Sequence, residues 1–169
     1  CGSCWAFTTT AAIESHYALK KGKNVSLSEQ NLIDCSDRND GCDGGNSAKA
    51  MMYIYTNGGT DTDRSYPYDE DQYDCRFSRA SVGATDYGYV DVRPRKDEDA
   101  LMEAVATIGP IAVAFDASSD DFEDYDGEGI YYGEHCSSHS ADLDHTLLVI
   151  GYGNDLEYGE NGDYWLVKN

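Results

Sequence analysis

The sequence predicts an α+β fold with two lobes, the first mainly helical and the second mainly β. Helical apolar spacing dominates the first part of the chain, whereas alternating and fully apolar runs lie near its end. Because helices and strands are segregated along the chain, the pattern favours α+β over a parallel α/β sheet. The 169 residues suffice for one sizeable core or two small ones. We expect the lobes to be residues 1–88 and 89–169.

The sequence predicts four helices. The opening one, from Ser3 to about Lys21, is apolar on nearly every side until Glu14, so it should lie centrally, and Gly22 should end it. Ser28 is a good N-cap for a second helix. Apolar residues at helical spacing predict the remaining two, at about 48–55 and 101–108.

The strands are predicted from three apolar patterns. Residues 111–115 alternate, and 147–150 and 164–167 are short buried runs. The polar, glycine-rich residues 151–162 between the last two should form a long hairpin loop. Residues 60–88 have no regular period and read as an irregular loop held by a disulfide.

Composition excludes several classes of function. Asp and Glu number 32 against 12 Lys and Arg, a formal charge of −20, and such a surface repels nucleic-acid phosphates. There is no run of about 18 apolar residues, so no membrane span is expected. Six cysteines are typical of an oxidising compartment. Asn24-Val25-Ser26 is an N-glycosylation tripeptide, a pattern that also arises by chance.

The segment Cys-Gly-Ser-Cys-Trp-Ala-Phe at 1–7 carries the chemistry. Cys4 stands where the first helix begins, and helix N-termini stabilise negative charge. A thiolate there could attack a carbonyl, and the exposed N–H groups, including that of Cys4, could stabilise the resulting oxyanion. A Cys-x-x-Cys redox pair is an alternative, but the strand that would precede it is not visible. A zinc site with Cys35 and Cys42 is another, although the spacing is irregular.

A thiolate nucleophile needs an imidazole partner, and four histidines compete for that role. His16 lies too far along the first helix, and His135 and His139 flank Cys136 in a polar loop. His145 opens the apolar strand, 141 residues after Cys4, and is the remaining candidate.

The predicted hairpin supplies a partner for His145. If 147–150 pairs antiparallel with 164–167, residue numbers across the ladder sum to about 314. Asn169 then lies opposite His145, within a residue or two, where its carboxamide can accept the imidazole N–H.

The chain resembles the papain family of cysteine proteases, and cathepsin L-type members most closely. The resemblance covers essentially the full length and rests on the opening C-G-S-C-W together with S-L-S-E-Q-N-L-I-D-C (26–35), G-C-D-G-G (41–45), S-Y-P-Y (65–68), L-D-H-T (143–146) and Y-W-L-V-K-N (164–169). It implies a papain-like fold, a helical left lobe and an antiparallel β-barrel-like right lobe, with the active site in the cleft between them.

The resemblance also implies roles for individual residues. Cys4, His145 and Asn169 would form a Cys-His-Asn site that hydrolyses peptide bonds through a thioester acyl-enzyme. Disulfides would join Cys1 to Cys42 and Cys35 to Cys75, while Cys136 would pair with a cysteine beyond residue 169. The substrate-binding positions would be Gly2, Gly44, Gly45, Asn46, Ser47, Ala114, Leu143, Asp144 and Thr146.

The predicted specificity pocket is more polar than in relatives, because Asn46 and Ser47 replace larger apolar residues. There is no paired-histidine insertion of the kind that blocks the cleft in cathepsin B-like enzymes, so endopeptidase activity is favoured. The acidic residues 116–128 are most simply a solvated loop, with cation binding or substrate steering as alternatives.

By resemblance, the partners are protein or peptide substrates, the protein's own propeptide and cystatin-type inhibitors. The resemblance also implies a lysosomal or secreted monomer that uses no metal and no cofactor. The chain opens with Cys1 and lacks the family's oxyanion-hole glutamine and the tryptophan after the asparagine. It is therefore expected to be a fragment that alone is unstable and poorly active. Two non-enzymatic alternatives are an inactive papain-like binding protein and a small disulfide-stapled extracellular module.

Overall fold

A computed structural model describes residues 1–156 and 162–169, and it divides into two compact units, Cys1–Val92 and Arg93–Asn169. The first unit contains α1 (Cys4–Lys21), α2 (Glu29–Cys35), α3 (Ser47–Asn57), β1 (Thr60–Asp61) and β2 (Val82–Ala84). The second contains α4 (Glu98–Thr107), β3 (Ile111–Phe115), α5 (Asp120–Glu123), β4 (His145–Asn154) and β5 (Asp163–Lys168). None of the described helices is long and apolar enough to cross a membrane.

Helix α1 is the central element of the first unit, as its apolar composition predicts. Its first half is buried, and the core around it contains Trp5, Leu32, Ile33, Ala50 and Ile54. The helix ends at Gly22, which adopts the left-handed conformation (φ 64°) and donates its N–H to the Ala18 carbonyl. The predicted bounds of this helix are confirmed.

Helix α2 begins where its cap was predicted. The Ser28 hydroxyl oxygen accepts the Asn31 N–H at 2.8 Å and donates to the Tyr66 carbonyl at 2.5 Å. One side chain therefore caps the helix and also holds the segment that follows β1.

Residues 62–78 contain no helix or strand, and both backbone carbonyls and side chains accept hydrogen bonds from this segment. Asp34 accepts the Tyr73 N–H at 2.9 Å and the Tyr66 hydroxyl at 2.6 Å. The Cys35–Cys75 disulfide closes the same region. The predicted irregular loop held by a disulfide is confirmed, apart from the short β1–β2 pair and one 3-10 turn at Arg79–Ser81.

The second unit is built on an antiparallel sheet with the order β3-β4-β5. The apolar run at Leu147–Val149 is buried, and α4 contributes Ala104 and Val105 to the core. The three strands form an open sheet, so the described residues do not close the barrel-like lobe that the resemblance implied. Strand β4 continues to Asn154, which shortens the predicted hairpin loop, and residues 157–161 of that loop lie outside the described residues.

The predicted register of the β4–β5 hairpin is wrong by two positions. Leu148 pairs with Lys168, and the register shifts again between Val149 and Gly151. A bulge adds a residue to one strand, and the apolar runs at 147–150 and 164–167 do not mark its position.

Asp86, after β2, has a partly buried carboxyl group of which only one oxygen is hydrogen-bonded within the described residues. Its Oδ1 accepts the Gly88 N–H at 3.3 Å, whereas the buried Oδ2 has no hydrogen-bond partner among the described residues. Burial raises the pKa of Asp86 to about 6. Since the pKa of an unfolded aspartate is about 3.9, the native state binds this proton more tightly than the unfolded state does. Stability from this group therefore increases as pH falls through 6 and levels off near 4.

We predict that Asp86→Asn flattens the pH dependence of the free energy of unfolding between pH 4 and 8. Between pH 4 and 8, the free energy of unfolding should change by about 1 kcal/mol less in the variant than in the original protein. The difference is modest because the half-exposed carboxyl is partly screened by solvent. Denaturant titrations at several pH values measure it, with the exposed Asp74→Asn as control. An unchanged slope in Asp86→Asn contradicts the assignment. Burial also raises the pKa of Asp61, so the variant should keep some slope of the same sign.

Candidate active site

Cys4 is the first residue of α1 and carries a free, partly buried thiol. Ser3 occupies the N-cap position but makes no side-chain cap, because its hydroxyl contacts the Tyr68 hydroxyl at 3.1 Å instead. Among the described residues, no acceptor is bonded to the Cys4 N–H. The start of the helix therefore presents an unused donor beside the Cys4 sulfur, which is a suitable arrangement for stabilising negative charge.

The residue after the thiol fixes the position of this helix end. Trp5 is fully buried and donates its indole N–H to the Gly41 carbonyl at 3.1 Å. The Cys1–Cys42 disulfide and a 2.7 Å bond from the Gly2 N–H to the Cys42 carbonyl join the same two segments. With Cys1, Cys42 and Cys35 in disulfides, neither the redox pair nor the zinc site considered from the sequence is formed.

Two of the glycines predicted to bind substrate lie where a side chain does not fit. A Cβ at Gly45 would lie 2.5 Å from the Trp5 ring, and one at Gly2 would lie 2.6 Å from the Cys42 carbonyl oxygen. Gly44, next to Gly45 in the chain, has φ 122°, a conformation that favours glycine, although a Cβ there would meet no atom within 4 Å. Close packing thus requires Gly2 and Gly45, and backbone conformation favours glycine at position 44, whether or not these residues also contact a substrate.

The two polar residues of the predicted specificity pocket have partners within the first unit. The Asn46 side-chain oxygen caps α3 by accepting the N–H groups of Ala48 and Lys49 at 2.9 and 3.2 Å. The Ser47 hydroxyl is buried and bonds to the Trp5 carbonyl at 3.3 Å. Sequence reasoning assigned both to a more polar pocket and overlooked that Asn-Ser at a helix start is a capping signal.

In the second unit, His145 is the first residue of β4, and its Nε2 lies 2.8 Å from Asn169 Oδ1. Because a carboxamide oxygen can only accept, Nε2 carries the hydrogen and Nδ1 is left for another partner. Continuing the observed register places Asn169 beside Leu147, diagonal to His145 on the same face of the sheet. The predicted contact is present although the predicted register is not.

The other predicted substrate-binding residues of this unit lie close to His145 along the chain. Thr146 pairs with Ala114 across β3 and β4, and Leu143 is partly buried. The Asp144 carboxylate accepts the Ala117 N–H at 2.8 Å, which ties the segment after β3 to the start of β4. Asp144 therefore has a structural contact that the sequence did not reveal.

An aromatic cluster next to His145 was missed by sequence reasoning. Phe122, on α5, has its ring centroid 6.3 Å from that of His145 and 4.9 Å from that of Phe115, which pairs with His145 across the sheet. Tyr131 packs against Phe122 at 5.5 Å. The alternation of residues 111–115 marked Phe115 as inward-facing. Phe122 stands among acidic residues, so its segment was predicted to be a solvated loop.

The buried Asp116 holds the segment that leads into this cluster. Its carboxylate accepts the Ser118 hydroxyl at 2.6 Å and the Ser137 N–H at 2.7 Å, and these bonds hold the pKa of Asp116 below its usual value. Cys136, next to Ser137, is a free cysteine whose sulfur lies 3.6 Å from the Tyr131 hydroxyl. The described residues contain no group of three or more His, Cys, Asp or Glu side chains that could hold a metal ion.

The site features agree with the comparison of the whole sequence with known proteins. The family model "Papain family cysteine protease" matches residues 1–169. The chain belongs to the papain family of cysteine proteases. It is 53% identical to a cathepsin L-like peptidase of Aedes aegypti and 52% identical to cathepsin L1 of Drosophila melanogaster, in both cases over the full chain.

A solved structure supports the same assignment. A digestive procathepsin L2 proteinase from the larval midgut of Tenebrio molitor matches with a TM-score of 0.89 and 44% identity, over all of this chain and 51% of that one. The predicted papain-like α+β fold is therefore confirmed. The chain spans 48% of the Aedes relative and 44% of the Drosophila one, about half of their length.

We predict that Gly45→Ala destabilises the protein, because the added methyl group must displace the buried Trp5 ring. Overpacking of this kind costs about 1–3 kcal/mol of the free energy of unfolding. Chemical denaturation of the full-length protein measures it. Gly151→Ala is the matched control, since a Cβ there meets nothing closer than 3.8 Å. Equal stabilities of the two variants would show that the Trp5 contact is not tight.

Proposed function

We propose that the full-length protein is a cysteine endopeptidase that uses Cys4, His145 and Asn169. The observation that carries the proposal is the 2.8 Å hydrogen bond from His145 to Asn169. A histidine held in one tautomer by a carboxamide is the arrangement that a thiol protease requires, and the chain is a member of a family of such enzymes.

Cys4 would attack the carbonyl carbon of the scissile peptide bond as a thiolate. The new C–S bond forms a tetrahedral oxyanion, and the unpartnered Cys4 N–H is one donor able to stabilise it. When the intermediate collapses, the C–N bond breaks and a thioester joins the substrate acyl group to Cys4.

His145 would manage the protons of both steps. As imidazolium it protonates the leaving amine, and as neutral imidazole it removes a proton from the water that hydrolyses the thioester. Asn169 would keep the hydrogen on Nε2, so that Nδ1 is the nitrogen that takes up and releases the proton.

For substrate binding, we propose that Gly2, Gly44 and Gly45 leave room for an extended peptide. Asn46, Ser47, Ala114, Leu143, Asp144 and Thr146 are proposed to line its binding positions. Because Asn46 and Ser47 are already bonded within the chain, they should affect substrate choice through shape more than through new hydrogen bonds. The absence of a histidine pair that would block the cleft favours cleavage within chains.

The same family membership supports the remaining proposals. The enzyme would act on proteins or peptides, be restrained by its own propeptide and by cystatin-type inhibitors, and work as a monomer in a lysosome or outside the cell. Residues 1–169 alone are expected to cleave poorly, because β5 leaves two apolar side chains partly uncovered: Leu166 and Val167 are 52% and 39% exposed.

Labelling of the nucleophile tests the proposal. We predict that a peptidyl epoxide alkylates Cys4 of the full-length protein and that Cys4→Ser abolishes both labelling and peptide cleavage. His145→Ala should lower kcat/KM by at least about 100-fold, since general acid–base catalysis contributes that much or more. Asn169→Ala should cause a smaller loss, because the imidazole remains.

The exposed His139→Ala, in the loop before β4, is the matched control and should keep full activity. An inactive papain-like binding protein is the competing outcome. Failure of the epoxide to label Cys4 in the mature, folded protein would reject the protease mechanism in favour of that reading.

A further inference from the structure

Asn24 lies in the connection between α1 and α2 and begins the one Asn-x-Ser/Thr tripeptide in the sequence, Asn24-Val25-Ser26. Val25 packs against the core, and Leu27 is 1% exposed, whereas Asn24 and Ser26 are exposed. Exposed side chains therefore alternate with buried or partly buried ones from Asn24 to Leu27. The asparagine amide and the serine hydroxyl thus face solvent together, while the residues next to them anchor the segment.

The backbone of this segment is fixed, although the two polar side chains are not. The Ser26 carbonyl accepts the Asp63 N–H at 3.0 Å, and Leu27 forms a bridge with Thr62. Among the described residues, neither the Asn24 amide nor the Ser26 hydroxyl has a hydrogen-bond partner. A group attached to Asn24 would therefore break no contact of the fold.

We propose that Asn24 carries an N-linked glycan. Two disulfides indicate passage through an oxidising compartment, where such glycans are added. The donor would be a lipid-linked oligosaccharide diphosphate. The bond from the sugar's anomeric carbon to the phosphate oxygen breaks, a bond from that carbon to Asn24 Nδ2 forms, and one amide proton is lost as the lipid diphosphate leaves.

The glycan would not obstruct the nucleophile. Helix α1 separates Cys4 from this connection, and 18 helical residues span about 26 Å from first to last. We therefore expect the modification to be independent of peptidase activity, so that its test does not depend on the proposed function.

The test is site mapping of the full-length protein secreted from animal cells. Release of glycans by peptide:N-glycosidase in ¹⁸O water should convert Asn24 to ¹⁸O-labelled aspartate. Asn24→Gln and Ser26→Ala should lose the label, and Ser26→Thr, which preserves the tripeptide, should keep it. Peptide cleavage by Asn24→Gln should match that of the unmodified sequence. An unlabelled Asn24 in secreted protein with both disulfides intact would overturn the proposal.

A second inference concerns Phe122 and rests on the proposed function. His145 is held at Nε2 by Asn169, and the centroid of the Phe122 ring lies 6.3 Å from that of the imidazole. Phe122 is itself fixed, because Phe115 and Tyr131 pack against it at 4.9 and 5.5 Å. The Tyr131 hydroxyl is in turn 3.0 Å from the Ser119 hydroxyl, at the start of α5.

We infer that Phe122 is a positioning residue that restricts rotation of the His145 ring. A single hydrogen bond to Asn169 leaves the imidazole free to tilt about that bond. Ring centroids 4.5–7 Å apart are within the range of favourable aromatic contact, and the 6.3 Å contact falls within it. The cluster therefore opposes the motion that the hydrogen bond permits.

Kinetics of full-length variants test this role. Misplacement of a reacting group by 1 Å can cost about 100-fold in rate, so Phe122→Leu should lower kcat by about 10- to 100-fold with little change in KM. Phe122→Tyr retains the ring and should restore the rate. Tyr125→Ala removes a ring that contacts Tyr131; among the described aromatic contacts it makes none with His145, so the variant should retain kcat.

Nitrogen NMR of the imidazole adds a measurement that does not depend on the stability of the fold. Phe122→Leu should broaden or shift the His145 Nε2–H signal in folded protein, whereas Tyr125→Ala should not. Equal losses of kcat in Phe122→Leu and Tyr125→Ala would show that Phe122 has only a structural role. If His145→Ala abolishes activity and Phe122→Leu does not impair it, this inference fails while the proposed function stands.

Discussion

Complete burial of Trp5 is the constraint on which the first unit depends. An indole that is fully removed from water must be surrounded by well-packed atoms and must use its N–H, and the segment 41–45 meets both requirements. The Gly41 carbonyl takes the N–H, and Gly45 lies against the ring. Because Cys4 precedes Trp5 at the start of α1, this packing fixes the backbone position of Cys4.

In the second unit, strand pairing has the corresponding role. His145 lies opposite Phe115 and diagonal to Asn169, so both neighbours of the imidazole come from the same sheet. The bulge after Val149 changes the ladder beyond it but leaves this end of the strand intact. The backbone therefore sets the tautomer of His145 by placing the asparagine, and the side chains of α5 complete its surroundings.

Much of this arrangement could be predicted from the sequence, because strong local signals coincide with it. The apolar run of α1, the Ser28 cap and the entry of His145 into a strand all follow from residue type and spacing. The rest depends on contacts that periodicity does not encode. Neither the bulge nor the packing of Phe122 on His145 leaves a pattern, since a one-turn helix in an acidic segment reads as a solvated loop.

The acidic composition is partly a structural property. Residues 62–78 have almost no secondary structure, so their N–H groups need other acceptors, and the carboxylates of Asp34 and Asp61 bond to Tyr73 and Ser78. In the second unit, Asp116 and Asp144 bond to backbone N–H groups in the same way. Such a carboxylate accepts a backbone N–H that, in a helix or sheet, would be bonded to a backbone carbonyl. The charge of −20 therefore cannot be interpreted simply as a surface for recognising a basic partner.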